Sequence, residues 1–112
     1  MAELMYWEAI RRAHDEELTN DPNVIVMGED VGVVGGTYKA TSGLYQKYGE
    51  HRIIDTPISE NSFTGIGICA SMAGVRPIIE IMSINFALLA LDTLVNAAAK
   101  IRYMSGGRVS CP

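Results

Sequence analysis

Short apolar runs alternate with helix-length segments along the whole chain, and no other feature restricts the fold as much. Val24–Met27, Arg52–Asp55 and Pro77–Met82 read as strands. Between and around them lie segments of helical character. Leu4, Trp7, Ile10, His14 and Leu18 recur at three- and four-residue spacing, a helical stripe. Asn20-Asp21-Pro22 breaks it. Thr41–Tyr48 predicts a short helix stopped by Gly49, and Glu60–Ala73 a small-residue helix closed by Gly74. Phe86–Met104 predicts the longest helix, apolar over most of its circumference and so buried from several sides. Gly106-Gly107 ends it, and Val109–Pro112 reads as the opening of another strand.

Strands that alternate with long helices imply right-handed β–α–β crossovers and a parallel sheet. Such a sheet needs helices on both faces. The expected class is therefore α/β, one domain over residues 1–112. Only three or four strands are visible and the last residues enter a strand. The sheet is expected to be incomplete, part of a larger protein.

Composition narrows the function. Nine basic and thirteen acidic side chains give a net charge of −4, with no basic patch, so nucleic acid is not an expected partner. The longest charge-free stretch, Asn61–Val75, carries three glycines and is shorter than the roughly 18 apolar residues of a membrane-spanning helix. Cys69 and Cys111 match no metal-ligand spacing and read as reduced thiols of an intracellular protein. The start, MAELMYWEAIRR, has charges where a signal peptide has its apolar run.

Gly65-Ile66-Gly67-Ile68-Cys69-Ala70 spells G-x-G-x-x-A, but a dinucleotide site needs that motif directly after a strand. Here the glycines fall inside a helix, where they permit close packing. The Gly28–Gly36 loop lacks the Lys-Ser/Thr of a phosphate loop. The informative segment is Asp55-Thr56-Pro57-Ile58-Ser59-Glu60: a strand ends, proline turns the chain, and a carboxylate opens a helix. Ligands of parallel α/β sheets gather beyond the carboxyl ends of strands. Glu29-Asp30 also follow a strand, so acidic groups are expected on the same rim. On spacing alone Glu60 fits two roles, a functional carboxylate or an acid stabilising the helix dipole by about 0.3–1 kcal/mol.

Arg52–Glu60, Gly74-Val75-Arg76-Pro77-Ile78-Ile79-Glu80, Asn85-Phe86-Ala87 and Arg102–Gly107 together resemble the beta chains of 2-oxo acid dehydrogenase first components, those for pyruvate above all. Met27–Asp30 and Gly36–Lys39 fit the same chains. The resemblance covers nearly the whole sequence in unbroken order. It implies a thiamine-diphosphate pyrimidine-domain type of fold, transketolase-like and incomplete.

That resemblance also implies a chemistry. In the family a glutamate hydrogen-bonds the pyrimidine N1′ of thiamine diphosphate and so directs loss of the C2 proton; Glu60 stands at that position. Phe86 matches the aromatic that lies against the pyrimidine ring. Ile58 and Met82, at strand ends, are expected as apolar walls, and Glu29 is a further candidate for the cavity. Core packing is the other reading of Phe86, Ile58 and Met82. Leu89 departs from the glutamine common three residues after that phenylalanine, which removes one polar contact. The family's Gly-Asp-Gly…Asn motif for Mg2+ and diphosphate does not occur here. The resemblance places it on a partner alpha subunit, so this chain is expected to bind no metal itself.

The implied partners are that alpha subunit, a second beta subunit, the lipoyl acyltransferase component and pyruvate, with no membrane or nucleic acid. The implied reaction is oxidative decarboxylation of pyruvate, leading to acetyl-CoA. Branched-chain 2-oxo acid and acetoin dehydrogenases share the pattern, and a non-catalytic truncated interaction fragment is the reading from another class. The charged start favours a bacterial cytoplasm; a mitochondrial or plastid location follows if a presequence was removed.

Overall fold

The computed structural model describes residues 3–112. Its regular elements are α1 (Tyr6–Asn20), β1 (Val24–Gly28), α2 (Leu44–Tyr48), β2 (Ile53–Asp55), α3 (Glu60–Met72) and β3 (Arg76–Glu80). A helical run of changing pitch and α4 (Ile101–Met104) follow. The three strands form one parallel sheet in the order β2-β1-β3.

Alternation along the strands divides the two faces. Val24, Val26, Ile53 and Ile78 pack with Leu18 of α1 and Leu44 of α2, with Val31 and the rings of Tyr45 and Tyr48 closing the cluster. The residues between them, Met27 and Ile79, face α3. A Cβ on Gly67 of α3 would lie 2.6 Å from Ile79 Cδ1 and 3.4 Å from Met27 Sδ. The glycine motif is thus a helix–sheet contact, since only the absent side chain lets α3 settle on β1 and β3.

The first helix starts at Tyr6, so Leu4 of the expected stripe lies outside it and is exposed. Trp7, Ile10 and His14 are half-buried and Leu18 is buried. His14 Nδ1 donates to the Ala40 carbonyl at 3.2 Å, and burial holds the ring's pKa below its usual value. It behaves as a packed histidine.

Three expectations need correction. The expected helix from Thr41 begins only at Leu44, because Gly43 adopts a left-handed conformation (φ 78°) that interrupts the helical path. The Thr41 hydroxyl meanwhile donates to the buried Val31 carbonyl at 2.7 Å. The expected Phe86–Met104 helix is a 3-10 turn over Phe86–Ala90, a π-helical turn over Thr93–Ala98, and then α4. The Thr93 hydroxyl donates to the Ala90 carbonyl at 2.8 Å, at the point where the pitch changes. Of this run only Ala90 is fully buried, so within this chain the segment is not covered on several sides.

Val109–Pro112 form no strand. The outer edge of β3 has no neighbour among the described residues, and Pro77 is tolerated there because an edge strand can spare an N–H. The tail is instead held locally. Val109 N–H donates to Ser105 Oγ at 3.0 Å, and Ser71 Oγ donates to Cys111 Sγ at 2.9 Å.

Candidate cofactor-side site at the carboxyl ends of the strands

Parallel strands bring their carboxyl ends to one rim, and the sequence loads that rim with acids. In the sheet register Gly28 pairs with Asp55 on one side and Glu80 on the other. Glu29 follows Gly28 directly, and Glu60 opens α3 four residues after Thr56. No side chain fits at Gly28: a Cβ there would lie 3.1 Å from Glu80 Cβ and 2.5 Å from its carbonyl oxygen.

The loop after β1 is anchored on this rim. Asp55 Oδ1 accepts the Gly32 N–H at 2.7 Å, and Gly28 O accepts the Thr56 N–H at 2.9 Å. Gly36 N–H closes the loop on the Asp30 carbonyl at 2.8 Å, with Asp30 itself in the left-handed region (φ 57°). Ser59 caps α3 through its backbone: its carbonyl accepts Ser62 N–H at 2.9 Å and Phe63 N–H at 3.0 Å. The Ser59 hydroxyl donates to Ser62 Oγ at 2.7 Å. Glu60 therefore enters the first turn, where a carboxylate complements the helix dipole.

Glu60 is 7% exposed and its carboxylate makes no hydrogen bond or ion pair among the described residues. Glu29 is 9% exposed, and its Oε1 is buried without a partner. Burial first, then the charges of Glu60 and Asp30, push the Glu29 carboxyl above the usual range. Glu80, half-buried, is raised by burial and by the charge of Glu29. Neighbouring acids thus raise both Glu29 and Glu80, with no cation paired to either among the described residues. A buried polar group without a partner costs about 1–3 kcal/mol. The Thr56 hydroxyl, also buried and unpartnered, lies at the same rim.

The structure brings together the polar candidates more fully than the apolar ones. Glu60 and Glu29 interact. Phe86 begins a turn that packs against α3 and is 38% exposed. Met82 lies beyond β3 and lines a groove of about 590 Å³ with Trp7, His14, Tyr38 and Glu80. Ile58 is 84% exposed, because the turn at Pro57 carries it outward; within this chain alone it walls nothing. Glu80 and Thr56 were not singled out by the sequence as site residues. An acid closing an otherwise apolar strand was the available signal for Glu80.

A three-stranded parallel sheet with helices on both faces and a buried, unpartnered acid at the carboxyl rim defines an α/β domain of the kind whose ligands gather at that rim. The chain belongs to the transketolase pyrimidine-binding domain family, whose profile matches residues 2–112. Among curated proteins it is 54% identical over 112 residues to the pyruvate dehydrogenase E1 component subunit beta of Chaetosphaeridium globosum, covering 100% of this chain and 34% of that protein. It is 56% identical over 105 residues to the mitochondrial E1 subunit beta of Dictyostelium discoideum, covering 94% and 30%. Identity to the E1 subunit beta of Rickettsia bellii is 52% over 105 residues, covering 94% and 32%. The chain spans about a third of the length of these relatives. Further relatives carry mitochondrial or chloroplastic names. Among the described residues no helix is long and apolar enough to cross a membrane.

Proposed function

We propose that this chain supplies the pyrimidine side of a thiamine-diphosphate site in a pyruvate dehydrogenase E1 beta subunit. The carrying observation is Glu60: buried, placed by the first turn of α3, and without a protein partner for its carboxylate. When bound, thiamine diphosphate supplies the electron sink for decarboxylation of a 2-oxo acid. Glu60 would hold that cofactor by a hydrogen bond to the pyrimidine N1′ and so position a proton there. Glu29, whose own proton is held more tightly than usual, offers a second carboxyl at the same rim. Phe86 contributes an aromatic face from the turn packed on α3. Ile58 and Met82 become walls once a neighbouring chain closes over them.

The residues present fit the pyrimidine half of the cofactor. Among the described residues, no group of three or more His, Cys, Asp or Glu side chains is placed to hold a metal ion. In this reading the Mg2+ and diphosphate are held by the partner alpha subunit. A second beta subunit and the lipoyl acyltransferase component complete the assembly. Pyruvate is favoured over branched-chain 2-oxo acids and acetoin by the names of the relatives.

The test uses the full-length beta chain assembled with its alpha partner. Glu60→Gln keeps the shape and a hydrogen bond but cannot hold the N1′ proton in the same way. Assembly is expected to persist, while exchange of the cofactor's C2 proton for deuterium slows by orders of magnitude. Exchange at the parental rate removes Glu60 from the mechanism.

A further inference from the structure

A threonine inside a helix commonly satisfies its hydroxyl on a carbonyl of the preceding turn. Two threonines of this chain do so. Thr19 Oγ1 donates to the Asp15 carbonyl at 2.7 Å, and Thr93 Oγ1 donates to the Ala90 carbonyl at 2.8 Å. Thr64 of α3 departs from them. It is 1% exposed, and its hydroxyl is buried without a hydrogen-bond partner, so the Glu60 carbonyl one turn back does not accept it. Such a hydroxyl destabilises the fold, and valine would give nearly the same shape without it.

The unmet hydroxyl lies one turn from the unmet carboxylate. Glu60 and Thr64 are four residues apart on the buried face of α3, a spacing that sets Cβ atoms about 5–6 Å apart. Helical side chains lean toward the N-terminus, so Thr64 leans back over the turn that carries Glu60. The rest of that face offers no competitor. Phe63, Gly67 and Ile68 have no polar side chain, and Ser71 already donates to Cys111 Sγ at 2.9 Å. A carboxylate accepts on both of its oxygens, so one bond to a ligand leaves the second oxygen to be met from the protein.

We propose that Thr64 is a positioning residue for Glu60: with the pyrimidine seated, its hydroxyl donates to one carboxylate oxygen and leaves the other for N1′. This deepens the thiamine-diphosphate reading of Glu60 and rests on it. Hydrogen bonds at such carboxylates are often open before the ligand arrives and close with it. The bond holds a long, rotatable side chain in one orientation, which sharing a proton with a ring nitrogen requires.

The test uses the full-length beta chain assembled with its alpha partner, without and with thiamine diphosphate and Mg2+. Thr64→Val removes the hydroxyl and little else. The thermal midpoint of the cofactor-free assembly is expected to equal or exceed the parental value, since no bond is lost there. Cofactor affinity by titration calorimetry and the rate of C2-proton exchange are each expected to fall about tenfold, the scale of one hydrogen bond to a charged group. Thr64→Ala is expected to match valine in both, and Thr64→Ser, which keeps the hydroxyl, to return both toward the parent. In a Glu60→Ala background, Thr64→Val is expected to weaken affinity no further, because the acceptor is gone. A lowered midpoint in cofactor-free Thr64→Val, parental affinity and exchange in that variant, no recovery with serine, or an undiminished loss in the Glu60→Ala background each overturns the role of Thr64 and leaves that of Glu60 standing. Parental affinity and exchange in Glu60→Ala itself removes the reading of Glu60, and the role of Thr64 with it.

Discussion

Asp55 Oδ1 accepts the backbone N–H of Gly32 at 2.7 Å, so the last residue of β2 holds the loop that leaves β1. A Cβ on Gly32 would collide with that same carboxylate. The bond keeps the Glu29-Asp30 turn fixed on the rim where Glu60 enters its helix. Asp55→Ala is expected to cost about 1–2 kcal/mol, because the Gly32 donor loses its partner in a partly buried place. Faster hydrogen exchange at the Gly32 amide, with little change at the Val26 amide, is the expected signature. Equal protection of Gly32 in parent and variant would show that the loop is held by other contacts.

Gly67 marks the close approach of α3 to the sheet. Gly67→Val adds branched bulk where Ile79 Cδ1 and Cγ1 lie 2.6 and 3.0 Å from the new Cβ. Over-packing of this kind costs about 1–3 kcal/mol. Ile79→Val removes the obstructing methyl and is expected to return part of that loss in the double variant. A urea-unfolding cycle of the four proteins measures the coupling, and strict additivity would place the strain elsewhere.

Glu29 and Glu80 make the stability of the fold depend on pH in an unusual direction. Burial and neighbouring acids raise both above the ordinary glutamate value of 4.5. In that window the folded chain binds more protons than the unfolded one, so stability is full below about pH 4.5 for these two groups and falls as pH rises through their raised values. Other carboxylates act oppositely: Asp15, held low first by its hydrogen bond from Lys47, contributes stability that is lost on acidification. Glu29→Gln should therefore stabilise the folded chain above the raised Glu29 value by about 1 kcal/mol and flatten the fall of stability that begins above pH 4.5. An unchanged slope of urea midpoint against pH from 4.5 upward would exclude the unpartnered carboxyl as its source.

Arg52 is a structural clamp. Its Nε donates to the Val24 carbonyl at 2.6 Å, and Nη2 donates to the carbonyls of Leu18 and Asp21 at 3.0 and 2.9 Å. It joins the end of α1, the start of β1 and the start of β2. Arg52→Met is expected to cost about 2–3 kcal/mol, and Arg52→Lys to recover only part, because an ammonium cannot reproduce the planar fork. Thermal unfolding of the three proteins compares them directly. A lysine variant as stable as the parent would mean that charge alone suffices.

The sequence by itself determined the three strands of the sheet, the first and third helices, and the acidic rim, though not the absence of a strand at Val109–Pro112. Apolar period and breakers are local properties: Val24–Met27 before Gly28, Glu60 after Pro57, and Gly74 after the third helix each carry their own signal. The parallel arrangement followed from the length of the connections, which a hairpin cannot use. The placement of Glu60 at the start of α3 was legible because the carboxyl end of a strand, a proline turn and a helix start all lie within six residues.

Tertiary structure alone decided what those residues meet. Glu80 is a lone acid within the apolar Pro77–Met82 run; only the β1–β3 register sets it across from Gly28 and within the field of Glu29. Arg52 gave no sign that its guanidinium would span three carbonyls distant in sequence. The Phe86–Met104 run reads as one buried helix because its composition is apolar, yet winding and burial depend on what covers it. Among the described residues, α3 packs against its early turns, and the run changes pitch and leaves its leucines exposed. Apolar pattern records that a face is to be buried. It does not record whether the covering surface belongs to the same chain, and that is settled only when the elements are assembled in space.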